Sequence, residues 1–128
     1  MPNPYQGVAL NAPDPASLLP LTPLTYHVLL ALADADRHGY GIIKEVEERT
    51  DGKMELETGT LYAAIKRMRD EQLIEVVPRS ERPPDEDRRR RTYRLTLLGT
   101  RVLEAESQRL ARLLGIAVEK KVLPFAPA

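Results

Sequence analysis

A set of hydroxyl, phenol and cationic side chains recurs at helical spacing between residues 58 and 71. Its members are Thr58, Thr60, Tyr62, Lys66, Arg67 and Arg69. Arginine and lysine attract phosphate and can donate hydrogen bonds to guanine, while hydroxyl groups can contact bases or the backbone. This chemistry suits the major groove of DNA. An ordinary amphipathic surface helix has the same pattern, and this stretch alone favours that plainer interpretation.

The same stretch carries the apolar face that would hold such a helix on a core. Leu61, Ile65 and Met68 recur at steps of four and three residues, which is the spacing of one helix face. Thr58 is predicted to cap the first turn, because its hydroxyl can accept a hydrogen bond from a backbone N–H there. The sequence therefore predicts a two-faced helix with its cations exposed.

The preceding segment predicts another short helix. Residues 38–41 (His-Gly-Tyr-Gly) form its opening turn, Ile42, Ile43 and Val46 form a buried stripe, and residues 50–52 (Thr-Asp-Gly) are a C-terminal stop signal. Two short helices with a tight connection, of which the second is cationic, form a helix-turn-helix arrangement.

Three segments predict strands. Residues 53–57 alternate as a very short strand would, residues 73–77 are rich in β-forming side chains, and residues 91–95 alternate again. The last two flank a polar segment, residues 78–90, and predict a β-hairpin with a long charged tip.

The late side of this hairpin tip carries four consecutive arginines: Arg88, Arg89, Arg90 and Arg91. Such an edge can bind phosphate. The acidic residues just before it favour a solvated loop instead, so both interpretations stay open.

The ends of the chain differ in composition. Residues 1–21 are rich in proline and almost uncharged, which predicts a loose tail rather than a basic arm for the minor groove. Leu18, Leu19 and Leu21 could still pack on a neighbouring helix or a partner subunit. Thr22-Pro23 predicts the start of a helix that is apolar nearly all round and ends near residues 33–36.

Thr96 is predicted to cap a final helix that runs to about Lys121. Such a helix is roughly 35 Å long at 1.5 Å per residue, longer than a small core can cover. Its apolar stripe therefore implies a second subunit. The predicted dimerisation residues are Val102, Leu110, Leu113, Leu114 and Ala117.

Composition narrows the function classes. The chain has 128 residues, 19 basic and 19 acidic side chains, and no cysteine. Because the net charge is zero, any DNA-binding site must be formed by a local cluster of basic side chains. Neither a membrane span nor a signal pattern is visible, so we predict a cytoplasmic protein. No catalytic triad, phosphate-binding glycine loop or metal-ligand spacing appears, so we predict no enzyme, no cofactor and no metal site.

Five stretches in this order resemble the PadR family of winged-helix transcriptional regulators. They are residues 24–32, 38–45, 58–68, 73–75 and 90–99, including His38-Gly39-Tyr40-Gly41 and Thr58-Gly59-Thr60-Leu61-Tyr62. Two positions depart from the family pattern: Ala63 stands where proline is frequent, and Gln72 where glycine is frequent.

The resemblance implies a mainly α fold with a small β-hairpin and a long dimerisation helix, acting as a homodimeric repressor on a palindromic operator. Tyr62 and Lys66 would contact DNA from the recognition helix, Thr58-Gly59-Thr60 would meet a phosphate, Tyr40 would support the motif near the backbone, and the hairpin would be the wing.

The expected division is residues 1–21, a winged helix-turn-helix over 22–96 and a dimerisation helix over 97–123. The alternative function is a winged-helix module for protein contacts alone. The operator, the regulated genes, activation against repression, and any small-molecule inducer are left open.

Overall fold

The computed structural model describes residues 13–83 and 90–124. The helices are α1 (Pro23–Ala31), α2 (Gly39–Arg49), α3 (Thr58–Asp70) and α4 (Leu97–Glu119), and the strands are β1 (Arg37–His38), β2 (Ile74–Val76) and β3 (Thr92–Leu95). Short 3-10 helices lie at Pro15–Leu18 and Arg79–Glu81. This order confirms the predicted fold class, a mainly α winged helix with a long C-terminal helix.

The sheet has three antiparallel strands in the order β1-β3-β2. Tyr93 on the central strand β3 is in register with Arg37 on β1 and Val76 on β2. The β2–β3 hairpin was predicted from the sequence, but β1 was not. A strand of two residues has too few side chains to show an alternating pattern.

The predicted apolar face of α3 lies in the core. Leu61, Ile65 and Met68 are at most 2% exposed. They pack in one cluster with side chains of all four helices and of the sheet. The exposed face of α3 is thereby fixed relative to α2 and to the β2–β3 hairpin.

Two predictions before α3 are wrong. Thr58 is the first residue of the helix and not its cap. Glu57 is the N-cap residue and makes no side-chain capping bond, while its carbonyl oxygen accepts from Leu61 N at 3.0 Å. Residues 53–57 form no strand. Instead, Met54 and Leu56 are partly buried against the core, and this packing explains the alternation.

Other helix ends follow their predicted signals. Thr22 Oγ1 accepts from Thr25 N at 3.2 Å, and Thr96 Oγ1 accepts from Gly99 N at 3.0 Å. The first helix ends slightly earlier than predicted, with Leu32 as its C-cap residue. The stop after α2 includes Gly52 in the left-handed region, at a φ of 75°.

A tight junction joins the end of α3 to the start of α4. Gln72 turns the chain with a φ of 62°, a conformation that favours glycine. Its carbonyl oxygen accepts from Thr96 Oγ1 at 2.6 Å. Gly99 faces the Leu73 backbone so closely that a Cβ there would lie 1.9 Å from the carbonyl oxygen. The end of α3 and the start of α4, although separated in sequence by the β2–β3 hairpin, are therefore in direct contact.

The segment before α1 is not a loose tail over its described residues. Leu18, Leu19 and Leu21 pack against the core. Leu21 N donates to Glu106 Oε2 on α4 at 2.8 Å, and Glu106 is 1% exposed and paired with Arg109. The described part of residues 1–21 is thus attached to α4, and residues 1–12 lie outside the described chain. Within the described residues, no helix is both long and apolar enough to cross a bilayer.

Candidate nucleic-acid interface

Helix α3 presents the predicted set of polar residues to solvent. Thr58, Thr60, Tyr62, Lys66, Arg67 and Arg69 are all exposed. The side chain of Lys66 is 80% exposed and its Nζ lies 3.2 Å from Asp70 Oδ2. Because that ion pair is open to solvent, it holds the lysine only weakly and leaves it able to exchange partners.

A cleft of about 460 Å³ opens where the start of α2, the N-terminal half of α3 and the start of β3 meet. Its lining brings four predicted site residues together with three others: His38, Gly39, Tyr40, Tyr62, Arg90, Arg91 and Tyr93. The cleft therefore combines two guanidinium groups with three phenols, which are cationic and hydrogen-bonding groups of the kind that contact DNA.

The Tyr62 phenol fits in this cleft because residue 39 is glycine and leaves space for it. A Cβ at Gly39 would lie 2.5 Å from Tyr62 Oη and 2.9 Å from Cζ. The phenol therefore lies over the first turn of α2, although the residue is still 46% exposed. This contact brings the phenol on α3 against the start of α2.

Tyr40 stands at the rim of the cleft. It is 61% exposed, and Lys44 Nζ lies 5.9 Å from its ring centroid. The cation–π contact orients the ring and adds a further positive charge at the rim.

Sequence reasoning did not find Tyr93, which is 3% exposed. Burial raises the pKa of its phenol, and Tyr62 raises it further, whereas Arg91 and Arg69 lower it. The alternation of residues 92–95 was a usable signal, because it places this tyrosine on the opposite sheet face from Arg94.

The base of the hairpin is stabilised by ion pairs. Arg94 pairs with Glu75 at 3.0 Å and also with Glu81. Arg82 Nη1 donates to the carbonyl oxygen of Arg90. These contacts join the two sides of the hairpin to each other below its charged tip. The arginines that make them therefore have a structural role.

The arginine run is only partly described. Arg90 and Arg91 are exposed and line the cleft, while Arg88 and Arg89 lie outside the described residues. A second cleft, of about 670 Å³, adjoins the interface and is lined in part by Lys66, Arg69 and Leu97.

The C-terminal half of α4 leaves an apolar surface open. Leu113 is 51% exposed and Leu114 is 41% exposed, and Leu110 and Ala117 are half-buried. Including Val102 in this surface was wrong. Val102 is 0% exposed and belongs to the chain's own core.

Among the described residues, no three His, Cys, Asp or Glu side chains are grouped as metal ligands would be.

Known proteins share this architecture. A PadR family transcription regulator from Clostridium difficile is 28% identical, with a TM-score of 0.63 over 80% of this chain and 100% of that one. PadR of Bacillus subtilis, solved in complex with operator DNA, is 22% identical. Its TM-score is 0.54 over 67% of this chain and 47% of that one, a likeness that shows the fold alone.

Two curated sequences also match. An uncharacterized 37.1 kDa protein of a Streptomyces fradiae transposon is 38% identical over 95 residues, and an uncharacterized protein of Lysinibacillus sphaericus is 31% identical over 72 residues. These matches cover 74% and 56% of this chain, but the chain spans only 25% and 63% of the lengths of those relatives. The model of the transcriptional regulator PadR-like family matches residues 28–105. The chain therefore belongs to the PadR-like family of transcriptional regulators.

Proposed function

We propose that this chain is a cytoplasmic repressor that binds a palindromic DNA operator as a homodimer. The single observation that carries the proposal is the cleft that brings Tyr40, Tyr62, Arg90 and Arg91 together beside the exposed face of α3. The family membership and the operator complex of the Bacillus subtilis relative support DNA as the partner.

In this proposal α3 enters the major groove. Thr58 and Thr60 meet a phosphate at its start, and Tyr62 and Lys66, one turn apart, face the base edges. Arg67 and Arg69 extend the cationic face.

The hairpin lies along the backbone. Arg90 and Arg91 neutralise phosphates there, and Arg88 and Arg89 are proposed to continue that edge. The neutral net charge of the chain makes this local clustering the source of the electrostatic attraction.

DNA binding is tested by fluorescence anisotropy, at physiological salt, with DNA from the chain's own promoter region and with random DNA. Tyr62→Ala should weaken promoter binding by about tenfold or more, because loss of a specific base contact costs about 1–3 kcal/mol. Random DNA should lose less. Lys120→Gln removes an exposed cation at the far end of α4 and is the control.

Two outcomes would contradict this assignment. Equal losses on both DNAs would make Tyr62 a phosphate contact only. If the wild-type chain binds neither DNA, the alternative of a protein-contact module replaces the proposal. The repressor role is tested separately, because deletion of the gene should raise transcription from the bound promoter.

The homodimer is proposed to form through the open surface of α4, where Leu110, Leu113, Leu114 and Ala117 lie. Leu113→Asp with Leu114→Asp should give monomers in sedimentation, because two charges would then need burial. Leu97→Asp is the matched control, since Leu97 is 44% exposed on the first turn of the same helix. A double variant that sediments as a dimer would place the interface elsewhere.

A further inference from the structure

A carboxylate stands at the end of the line of side chains that α3 is proposed to turn toward DNA. Tyr62, Lys66 and Asp70 follow one another at steps of four residues, so they lie along one side of the helix. All three are exposed, and Lys66 Nζ lies 3.2 Å from Asp70 Oδ2. An acid on a surface that approaches DNA weakens binding at every sequence, because the phosphates repel it.

Helix stability does not account for an acid at this position. Asp70 is the last residue of α3, where the partial negative charge of the helix end favours a base over an acid. In its pair with Lys66 the lysine is on the N-terminal side, which is the weaker orientation for residues four apart. The pair is also open to solvent, since the two side chains are 80% and 66% exposed, and such pairs contribute little to stability. The acid therefore points to a role outside the folding of the helix.

The carboxylate of Asp70 has an acceptor that the protein does not use. Lys66 occupies Oδ2, and within the described chain Oδ1 makes no hydrogen bond. Phosphate oxygens are acceptors as well, so the DNA backbone offers this oxygen no donor. In the major groove, cytosine presents an amino donor alone, whereas adenine presents its amino group beside the acceptor N7, which repels a carboxylate. Cytosine is therefore the base that matches Asp70.

We propose that Asp70 is a specificity-determining residue that accepts a hydrogen bond from the amino group of a cytosine in the operator. This inference rests on the proposed function, in which α3 enters the major groove. Recognition helices reach bases from positions spread over about seven residues, and Asp70 lies eight residues beyond Tyr62. On other DNA the carboxylate meets only acceptors and repels them. Asp70 thus acts against the wrong sequences as well as for the right one.

The test compares wild type with Asp70→Ala. The preferred sequence of wild type is found by selection from a randomised duplex library, and affinities for its single base-pair variants are measured by fluorescence anisotropy. At one position in each half of the site, replacing a cytosine should weaken wild-type binding about fivefold or more. Asp70→Ala should lose less than about twofold for the same replacement. Its affinity for random DNA should rise, because a negative charge has been removed.

Glu71→Ala is the matched control. It removes the same charge one residue further on, about 100° around the helix, and Glu71 is also exposed. This variant should keep the cytosine preference of wild type. A preference that both variants keep, or that both variants lose, would overturn the inference, because the position of the acid on the helix would then have no effect.

Urea unfolding separates a DNA contact from a structural one. Asp70→Ala should unfold at the same or a higher urea concentration than wild type, because an acid is unfavourable at this helix end. Lower stability together with an unchanged base preference would make Asp70 a structural residue. A wild-type chain that enriches no sequence would refute the proposed sequence-specific function, and this inference with it. A wild-type motif that Asp70→Ala shares at every position would refute the inference alone.

Discussion

Replacing Glu106 by glutamine should test how residues 13–21 are held on the long helix. Glu106 is 1% exposed and accepts from Leu21 N at 2.8 Å. Its carboxylate also accepts from Nε of Arg109 and, at 3.1 Å, from Nη2 of Arg109. Glutamine keeps the size and one acceptor oxygen, so the substitution removes charge without opening a cavity.

The cost follows from the bonds that change. The bond from Leu21 N is charge-assisted, and a neutral amide weakens it from about 1.5–3 kcal/mol to about 0.5–1.5 kcal/mol. The amide NH2 would also take the place of a carboxylate oxygen that accepts from Arg109. An N–H group of Arg109 would then lose its acceptor, at a cost of about 1 kcal/mol or more. We expect Glu106→Gln to lower the free energy of unfolding by about 2–3 kcal/mol.

Urea unfolding at pH 7 and a fixed protein concentration measures this difference. Glu104→Gln is the matched control on the same helix, because Glu104 makes a solvent-exposed pair with Arg101 at 3.1 Å. Such pairs contribute about 0–1 kcal/mol. If both variants lose the same small amount of unfolding free energy, the buried contact contributes no more to stability than an exposed ion pair, and the prediction is wrong.

The same carboxylate gives a pH dependence of known sign. The hydrogen bond from Arg109 lowers the pKa of Glu106 below its usual value of 4.5, with help from Leu21 N and against burial. The folded state then binds this proton less readily than the unfolded chain. The stabilisation is present above pH 4.5 and is lost as pH falls through the folded pKa. The difference in the free energy of unfolding between wild type and Glu106→Gln should therefore become smaller as the pH is lowered.

Four substitutions to or from glycine, one of them a control, test other backbone features. Gln72→Gly should raise the free energy of unfolding by about 0.5–1 kcal/mol, because relief of the left-handed strain exceeds the cost of the added chain entropy. Glu71→Gly is the control and should lower the free energy of unfolding, because Glu71 has an ordinary φ of −82°. Gly99→Ala should cost about 2 kcal/mol in thermal unfolding, because its Cβ meets the carbonyl oxygen of Leu73. Gly39→Ala should weaken DNA binding severalfold with little change in stability, since its Cβ displaces only the flexible phenol above it; unchanged affinity would show that this phenol needs no fixed position.

Local signals predicted the elements whose causes are local. The hydroxyls of Thr22 and Thr96 cap helices by contacts within three residues, so the sequence alone shows them. Strand β1 has no such signal, because only pairing with β3 makes Arg37 and His38 a strand. The alternation of residues 53–57 was misleading for the same reason, since no neighbouring strand pairs with them.

The candidate site divides in the same way. Residue type and helical spacing predicted that Tyr62, Lys66 and the other polar residues of α3 lie around the helix away from its apolar face, and all of them are exposed. The positions of Gly39 and Tyr93 in the site depend on three elements that meet at one cleft. Those elements are distant in sequence, so the sequence alone does not reveal their contact.

Glu106 marks the border between the two halves of α4. It falls on the same stripe as Val102 and Leu103, at steps of four and three residues, so a carboxylate on an apolar face was a visible signal for a buried partner. Its partners are Arg109 on the same helix and the backbone N–H of Leu21, and the second of these holds residues 13–21 against α4 at this level. Beyond it the stripe is open, with Leu113 51% exposed. The surface that we propose for the dimer therefore begins on the C-terminal side of the contact that attaches the N-terminal segment.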